Sequence, residues 1–386
     1  MDSQLVWAEI DLDAIGHNVR ELRGVTDPGA RLMVVVKANG YGHGAVEVAG
    51  RALENGADDL GVSRTDEGME LRDAGFDVPI LILGYTNPVL AEKLIAFDLI
   101  QTVFSLETAE ILSRAAVLSG SKIKVHLKVD TGMGRLGLIP DSQQANLRGM
   151  DIAEHAVSEV TAVASLSGLE LEGIFTHFAS ADSSDKTYAG NQLELFLNFL
   201  DQLRHTGLEI PLRHAANSAA IIAMPDTHLD MVRAGIAIYG LYPSSEVNRD
   251  HVQLQPAMTL KTRIVQLKKV SRGFKISYGS TYETDKPTTI ATLPIGYADG
   301  LNRRLSSQGK MLVAGCQVPI VGRVCMDLTM LDVGEVPDVG LDDEVVVFGR
   351  QGDAVLHVDE IAALLDTINY EIVSTIAHRV PRVYLR

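Results

Sequence analysis

The chain has 386 residues, enough for two domains, and its hydrophobic content of 46% is that of a globular protein. Its formal net charge of -16 argues against nucleic acid as a partner. Two cysteines, Cys316 and Cys325, are too few for a disulfide framework, no run approaches the ~18 to 20 apolar residues of a membrane span, and the N-terminus lacks a basic-then-apolar signal pattern, so a cytoplasmic, reducing location is expected.

In chain order, Val6, Ala8 and Ile10 alternate with polar residues as in a short strand. Asp11 is placed to cap a helix with Ile15, Val19 and Leu22 on one face. An apolar β-branched run, Val34 to Val36, then ends in Lys37 and a glycine-rich turn, Asn39-Gly40-Tyr41-Gly42-His43-Gly44, before a helical segment beginning near Ala45. A strand apolar on both faces is normally buried, so the amine at its end is aimed above the sheet. Burial or a neighbouring cation would lower its pKa and make it a useful nucleophile. The glycines allow close backbone approach to a ligand, although their spacing is neither the P-loop nor the dinucleotide pattern.

Further apolar runs lie at Asp59 to Ser63, Ile80 to Gly84, Ile100 to Ser105, Val125 to Asp130, Leu171 to His177, Leu212 to Ser218 and Met231 to Gly240. Helical patterns separate them, including one opened by Asn87-Pro88, one at Leu106 to Leu118, one at about Ala145 to Leu166 and one at Asn191 to Leu203. With the Lys37 strand this makes eight strands alternating with helices, the pattern of a (β/α)₈ TIM-type barrel, with a doubly wound sheet as the alternative. Polar groups recur where the runs end: Lys37 and Asn39, Ser63, Lys128 and Asp130, His177, Asn217 and Ser218, and Arg233. In barrels that level carries the active site. The character changes near Pro243. From Pro256 short alternating runs dominate, at Met258 to Leu267, Thr288 to Leu293, Met311 to Val313, Gln317 to Val321, Thr329 to Val333 and Glu344 to Phe348, together with one helix capped by Asp359. The organisation expected is therefore a barrel over 11–243 and a mostly-β domain over 244–386.

The segment Lys37-Ala38-Asn39-Gly40-Tyr41-Gly42-His43-Gly44 resembles the pyridoxal-phosphate lysine motif of bacterial alanine racemases. The resemblance continues in His126 to Gly137, Thr176-His177-Phe178, Ala216-Asn217-Ser218, Val232 to Ile236, Ser277-Tyr278-Gly279, Ile295 to Gly300, Cys325-Met326-Asp327 and Asn369-Tyr370-Glu371. It implies that the first strand, within residues 1–10, joins the β domain. It implies pyridoxal 5′-phosphate as cofactor, held by Lys37 as a Schiff base. Its phosphate is expected near Tyr41, Ser218 (with its neighbour Asn217), the backbone of Gly235 and Ile236, and Tyr370. Arg233 is expected to face the ring nitrogen. Arginine only donates, so that nitrogen would stay an unprotonated acceptor and the ring a weakened electron sink.

Racemisation needs proton removal on one face of the substrate and delivery on the other, so two groups are expected. The resemblance makes them Lys37 and Tyr278, with His177 linking the tyrosine to Arg233. It assigns Arg135 and the backbone N–H of Met326 to the substrate carboxylate, Tyr297 to a gate at the site entrance, and Lys128 to a lysine carbamylated in some family members. Tyr278 and Met326 are expected from the second subunit of a homodimer. The expected activity is interconversion of L- and D-alanine, supplying D-alanine for peptidoglycan, with no metal. Two rivals share the barrel. A pyridoxal-phosphate decarboxylase of the same plan would carry a Gly-Gly-Gly phosphate loop, which this sequence lacks. A non-catalytic pyridoxal-phosphate carrier would lack the β domain.

Overall fold

The computed structural model describes residues 4–140 and 152–386. The chain divides into two compact units, one of Ile15–Gly40 and Ala45–Gln255, the other of Met1–Ala14, Tyr41–Gly44 and Pro256–Arg386.

The first unit is a closed barrel of eight parallel strands in sequential order. They are β2 (Arg31–Val35), β3 (Asp59–Val62), β4 (Ile80–Ile82), β5 (Ile100–Val103), β6 (Ile123–Lys128), β7 (Leu169–Phe175), β8 (Leu212–His214) and β9 (Met231–Ala234), with β9 returning to pair with β2. All eight apolar runs read from the sequence are strands here. Strands β3, β4, β5 and β9 are buried throughout, as parallel strands between helices tend to be, while β7 and β8 carry exposed or half-buried residues ahead of their buried ends. The interhelical expectations hold at Ala45–Glu54, Leu106–Leu118 and Thr187–His205. The expected helix near 145–166 is seen as Ile152–Ala164, its earlier part lying outside the described residues. Asn87 accepts a hydrogen bond from the backbone of Val89, but the segment it caps is a short 3₁₀ turn leading into Ala91–Ala96. No helix among the described residues is long and apolar enough to cross a membrane.

The second unit is mostly β. Strand β1 (Val6–Asp11) runs antiparallel to β10 (Met258–Arg263) and parallel to Arg382–Leu385, which places the N-terminal strand inside the sheet of this unit. Asp11 ends β1 and caps the following helix, Leu12–Val25, by accepting from the backbone of Ala14 at 2.9 Å. The run expected as one strand from Met258 to Leu267 is two. Ile264 donates to Asp343 and Val265 to Thr292, so the chain changes sheets there. The helix expected to be capped by Asp359 spans Val358–Leu365 with His357 at its cap. Glu360 takes the backbone N–H of His357, and Asp359 instead accepts from the Asn369 amide at 2.8 Å.

The short segment Tyr41–Gly44 belongs to this unit too. A Cβ on Gly42 would lie 2.2 Å from the Val373 carbonyl, so only glycine fits. Arg382 donates to the Gly42 carbonyl at 2.9 Å.

Candidate active site

Strand β2 stops at Val35, and Lys37 opens a turn rather than ending the strand. Ala38, Asn39 and Gly40 all have left-handed φ/ψ, near +53 to +59° and +47 to +51°. Three such residues in a row are rare, because each non-glycine costs about 1–2 kcal/mol. Hydrogen bonds hold the turn. Ala38 donates to Glu67 at 2.6 Å, Gly40 donates to Val36 at 2.8 Å, and the Asn39 side chain accepts from Ala45 at 3.1 Å. The fully buried Tyr239 donates its hydroxyl to the Val35 carbonyl beneath. Glu67 also takes the N–H groups of Ser63 and Arg64, so one carboxylate ties the ends of β2 and β3.

Lys37 belongs to a group of cations. Burial and the charge of Arg135 lower its pKa, with Glu67 opposing. Lys128, buried at the end of β6, is pushed down to about 8 by burial, Arg233, Arg135 and Lys37. Arg233, buried on β9, is pushed down to about 9 by burial and by Arg135. Lys128 and Arg233 both lie over the ring of Phe175, at 5.4 and 5.2 Å. The acids nearby are occupied by backbone. Asp130 takes the N–H groups of Gly132, Met133, Gly134 and Arg135, folding the loop that carries Arg135.

Arg233 donates to His177 Nδ1 at 3.1 Å, to His214 Nδ1 at 2.9 Å, and to the carbonyls of Thr176 and Ala215. A guanidinium cannot accept. His177 Nδ1 is therefore unprotonated, and its hydrogen is on Nε2. Burial and the surrounding cations hold this imidazole well below its ordinary pKa, so it is neutral. Gln192 fixes the His177 segment by donating to its carbonyl and accepting from Ala179.

At the start of the helix Ser218–Ala223 the cap is Asn217, which accepts from Ala220 at 3.1 Å. That leaves the Ser218 hydroxyl to the glycine after β9: its oxygen accepts from the N–H of Gly235 at 2.8 Å. Ser218, Gly235 and Ile236 thus meet in one place, with Gly235 N–H directed to the serine.

The other expected residues lie in the β unit. Tyr41 and Tyr370 face each other with ring centroids 6.2 Å apart. The separate turns that carry Tyr278 and Tyr297 are both hydrogen-bonded to the segment Arg323 to Met326. Ser277 donates its hydroxyl to Arg323, Tyr297 donates its N–H to Cys325, and Ala298 donates to Met326. A Cβ on Gly296 would meet the Cys325 and Met326 carbonyls at 2.3 Å, which is why glycine stands there. Arg379 bridges Asp299 and Asp327 at 2.7 Å each, tying the two turns again. The side chains of Tyr278, Tyr297 and Met326 are exposed, Tyr278 at 70%.

Sequence reasoning left four contributors unassigned: Glu67, Phe175, His126 and His214. His126 stood inside a quoted motif without a role, and the others carry no local signal.

A closed parallel barrel with a pKa-lowered lysine at its strand ends, joined to a β unit, defines a lysine-centred barrel enzyme. Two family models match in succession, the alanine racemase N-terminal domain over residues 10–243 and the alanine racemase C-terminal domain over 257–384. The alanine racemase of Desulfosudis oleivorans is 57% identical, over 100% of this chain and 97% of its own length. That of Methanococcus maripaludis is 48% identical over all of both chains. Among solved structures, alanine racemase from Clostridium difficile 630 superposes with a TM-score of 0.91 at 42% identity, covering 99% of this chain and 96% of that one. The Bacillus anthracis alanine racemase with bound L-Ala-P gives 0.89 at 40% identity, covering 99% and 95%. The chain belongs to the alanine racemase family.

Proposed function

We propose that this protein interconverts L- and D-alanine, with pyridoxal 5′-phosphate held on Lys37. The observation that carries the reading is the group of four cations, Lys37, Lys128, Arg135 and Arg233, whose nearby acids are already committed to backbone. Such a nest is complementary to a ligand with more than one negative charge, and a phenolate and a substrate carboxylate supply those charges. When bound, the cofactor supplies the electron sink that makes the substrate's α-hydrogen acidic.

The chain's residues then divide the work. Lys37, with its pKa lowered, takes or gives a proton on one face at neutral pH. Tyr278 does so on the other. Arg135 and the N–H of Met326 hold the substrate carboxylate, which fixes the α-carbon between the two bases. Arg233 donates toward the ring nitrogen, and as a donor only it keeps that nitrogen unprotonated. His177 holds Arg233 through Nδ1, which leaves its Nε2–H to link to Tyr278. Ser218, the backbone of Gly235 and Ile236, Tyr41 and Tyr370 serve the phosphate, with Asn217 fixing the helix start behind Ser218. Tyr297 gates the site.

Tyr278, Tyr297 and Met326 are each exposed on turns tied together by hydrogen bonds, and this supports their service to a second copy of the chain in a homodimer. Two unpaired cysteines fit a reducing cytoplasm, where the D-alanine would feed peptidoglycan synthesis.

The test is circular dichroism of L-alanine mixed with the pure, cofactor-loaded protein. Decay of the signal to zero without release of CO₂ supports the reading. An unchanged signal rules out alanine as substrate, and CO₂ release would turn the reading to a decarboxylase.

A further inference from the structure

Arg233 is held by His214, and His214 is backed by His126; the proposed mechanism gives neither histidine a part. His214 Nδ1 takes a hydrogen from the guanidinium at 2.9 Å, and His214 Nε2 lies 2.9 Å from His126 Nδ1. Both rings are fully buried or nearly so. Their placement is built in. His214 stacks on Phe175 at 4.7 Å with the planes within 9°. A Cβ on Gly173 would stand 2.6 Å from the His126 ring, so that glycine in β7 makes the room. His126 also lines a cavity of about 310 Å³ at the N-terminal strand ends, so the string runs from that cavity toward the C-terminal ends of the strands.

Elementary donor counting orders this string. Arg233 can only donate, so His214 Nδ1 must accept, and the hydrogen of His214 sits on Nε2. That hydrogen is given to His126 Nδ1, which places the hydrogen of His126 on its own Nε2. His126 Nε2 is buried and has no hydrogen-bond partner among the described residues. The forward string leaves one donor unmatched, His126 Nε2–H, whereas reversing it would set two donors face to face at the guanidinium. The reversed string points an N–H of His214 at an N–H of Arg233, and a buried unmatched donor costs about 1–3 kcal/mol. Protonating either ring would set a cation against the guanidinium. Burial and Arg233 accordingly hold His214 well below its usual pKa and bring His126 to about 3.

A buried arginine is ordinarily paired with a carboxylate. Here its partners are two neutral imidazoles and two carbonyls, so its positive charge is oriented but not cancelled. We propose that His214 and His126 are positioning residues that hold Arg233 as an uncompensated cation, through a one-way string of neutral imidazoles. A carboxylate at the same place would fix the guanidinium equally well and remove the charge it presents. The role toward a ring nitrogen rests on the function proposed above; the tautomer string does not.

The experiment has two arms. Long-range ¹H–¹⁵N spectra of the ¹⁵N-histidine-labelled holoenzyme, assigned with His126→Gln and His214→Asn, read the ring nitrogens directly. Both rings are expected to be neutral and protonated on Nε2 at every pH from about 5.5 to 8.5, well above their lowered values. A hydrogen on Nδ1 of either ring, or titration of either within that range, overturns the proposal. The second arm compares His214→Asp with His214→Asn by titrating the visible band of the bound cofactor. The carboxylate is expected to move the midpoint by about one pH unit or more, against little movement with the amide. Equal midpoints in two variants that both retain the band overturn the charge argument. Loss of the band in the wild-type protein, with the ¹⁵N result intact, would instead count against the cofactor reading alone.

Discussion

The two regions expected to meet the substrate are built on opposite principles. At the barrel's strand ends the side chains are charged alike, with Lys128 and Arg233 buried, Lys37 half-buried and Arg135 exposed, above an inner layer of histidines, threonines and carbonyls. In the β unit Tyr278, Tyr297 and Met326 are exposed, uncharged side chains, and what is fixed is the backbone beneath them. The first region is electrostatically costly unless something anionic fills it. The second exposes large apolar and aromatic groups that a monomer gains nothing by showing. Each is incomplete, and in a different currency: charge in one case, surface in the other.

The sharpest way to break the comparison is to disable each region in a separate protein. Lys37→Ala and Tyr278→Phe are each expected to lose activity by about 10²–10⁴-fold. Mixed and allowed to exchange subunits, the two inactive proteins should recover about a quarter of wild-type activity, because a mixed C2 dimer holds one intact composite site. No recovery, with exchange verified by mass, would place both groups in a single chain's site. Within the pair the losses also differ in kind. Tyr278→Phe should impair deuterium exchange from one enantiomer of alanine more than from the other, and equal loss from both would count against separate bases.

How much of this was legible in the sequence follows from what kind of signal each part leaves. The barrel strands are two-sided apolar runs, and all eight were readable. The strand-end polar groups were readable because they recur at one level of a repeat. The left-handed turn at Ala38–Gly40 was not, since only one of its three residues is glycine and the rest is imposed by Glu67, Val36 and Asn39. The His126–His214 contact joins residues 88 apart in the chain through strands that are not neighbours, and no periodicity reports it. The break at Ile264 was hidden because a chain changing sheets keeps its alternating pattern. The cap at His357 was misread as Asp359 because a local rule favoured aspartate, whereas that carboxylate is claimed by Asn369.

Lys128 offers a test of intermediate size on the charged side. Its pKa falls from 10.5 in the unfolded chain to about 8 in the folded one. Between those values the unfolded state binds the extra proton, so stability of the cofactor-free protein should rise as pH climbs from about 8 to 10.5 and be flat with respect to this group below 8. The gain is on the order of 3 kcal/mol at most, and Lys128→Met should abolish that rise in urea melts. A lowered pKa also leaves unprotonated amine near neutrality, able to add CO₂ as a carbamate with release of one proton. That converts a cation in the nest into an anion beside Arg135. Intact mass under CO₂-replete buffer should show the adduct in the wild type and not in Lys128→Met. An unmodified wild-type mass under those conditions removes the hypothesis, and Lys128 then stands as one more cation for the ligand to neutralise.

The smallest expected effect separates two adjacent residues of the charged region, Asn217 and Ser218. Asn217 has its side-chain oxygen committed to the N–H of Ala220, a helix cap worth about 1 kcal/mol. Asn217→Ala should therefore lower the melting temperature by roughly 2 °C and leave the affinity for pyridoxal 5′-phosphate nearly unchanged. Ser218→Ala strands the N–H of Gly235, a loss of about 1–3 kcal/mol, and also removes a hydroxyl facing the proposed phosphate. Its melting temperature should fall at least as far, but its cofactor affinity should fall about tenfold or more, as the loss of a hydrogen bond to a charged group implies. Thermal melts paired with fluorescence titration of the cofactor decide it. If Asn217→Ala weakens cofactor binding as much as Ser218→Ala does, the asparagine touches the ligand itself, and the division between a cap behind and a hydroxyl in front is wrong.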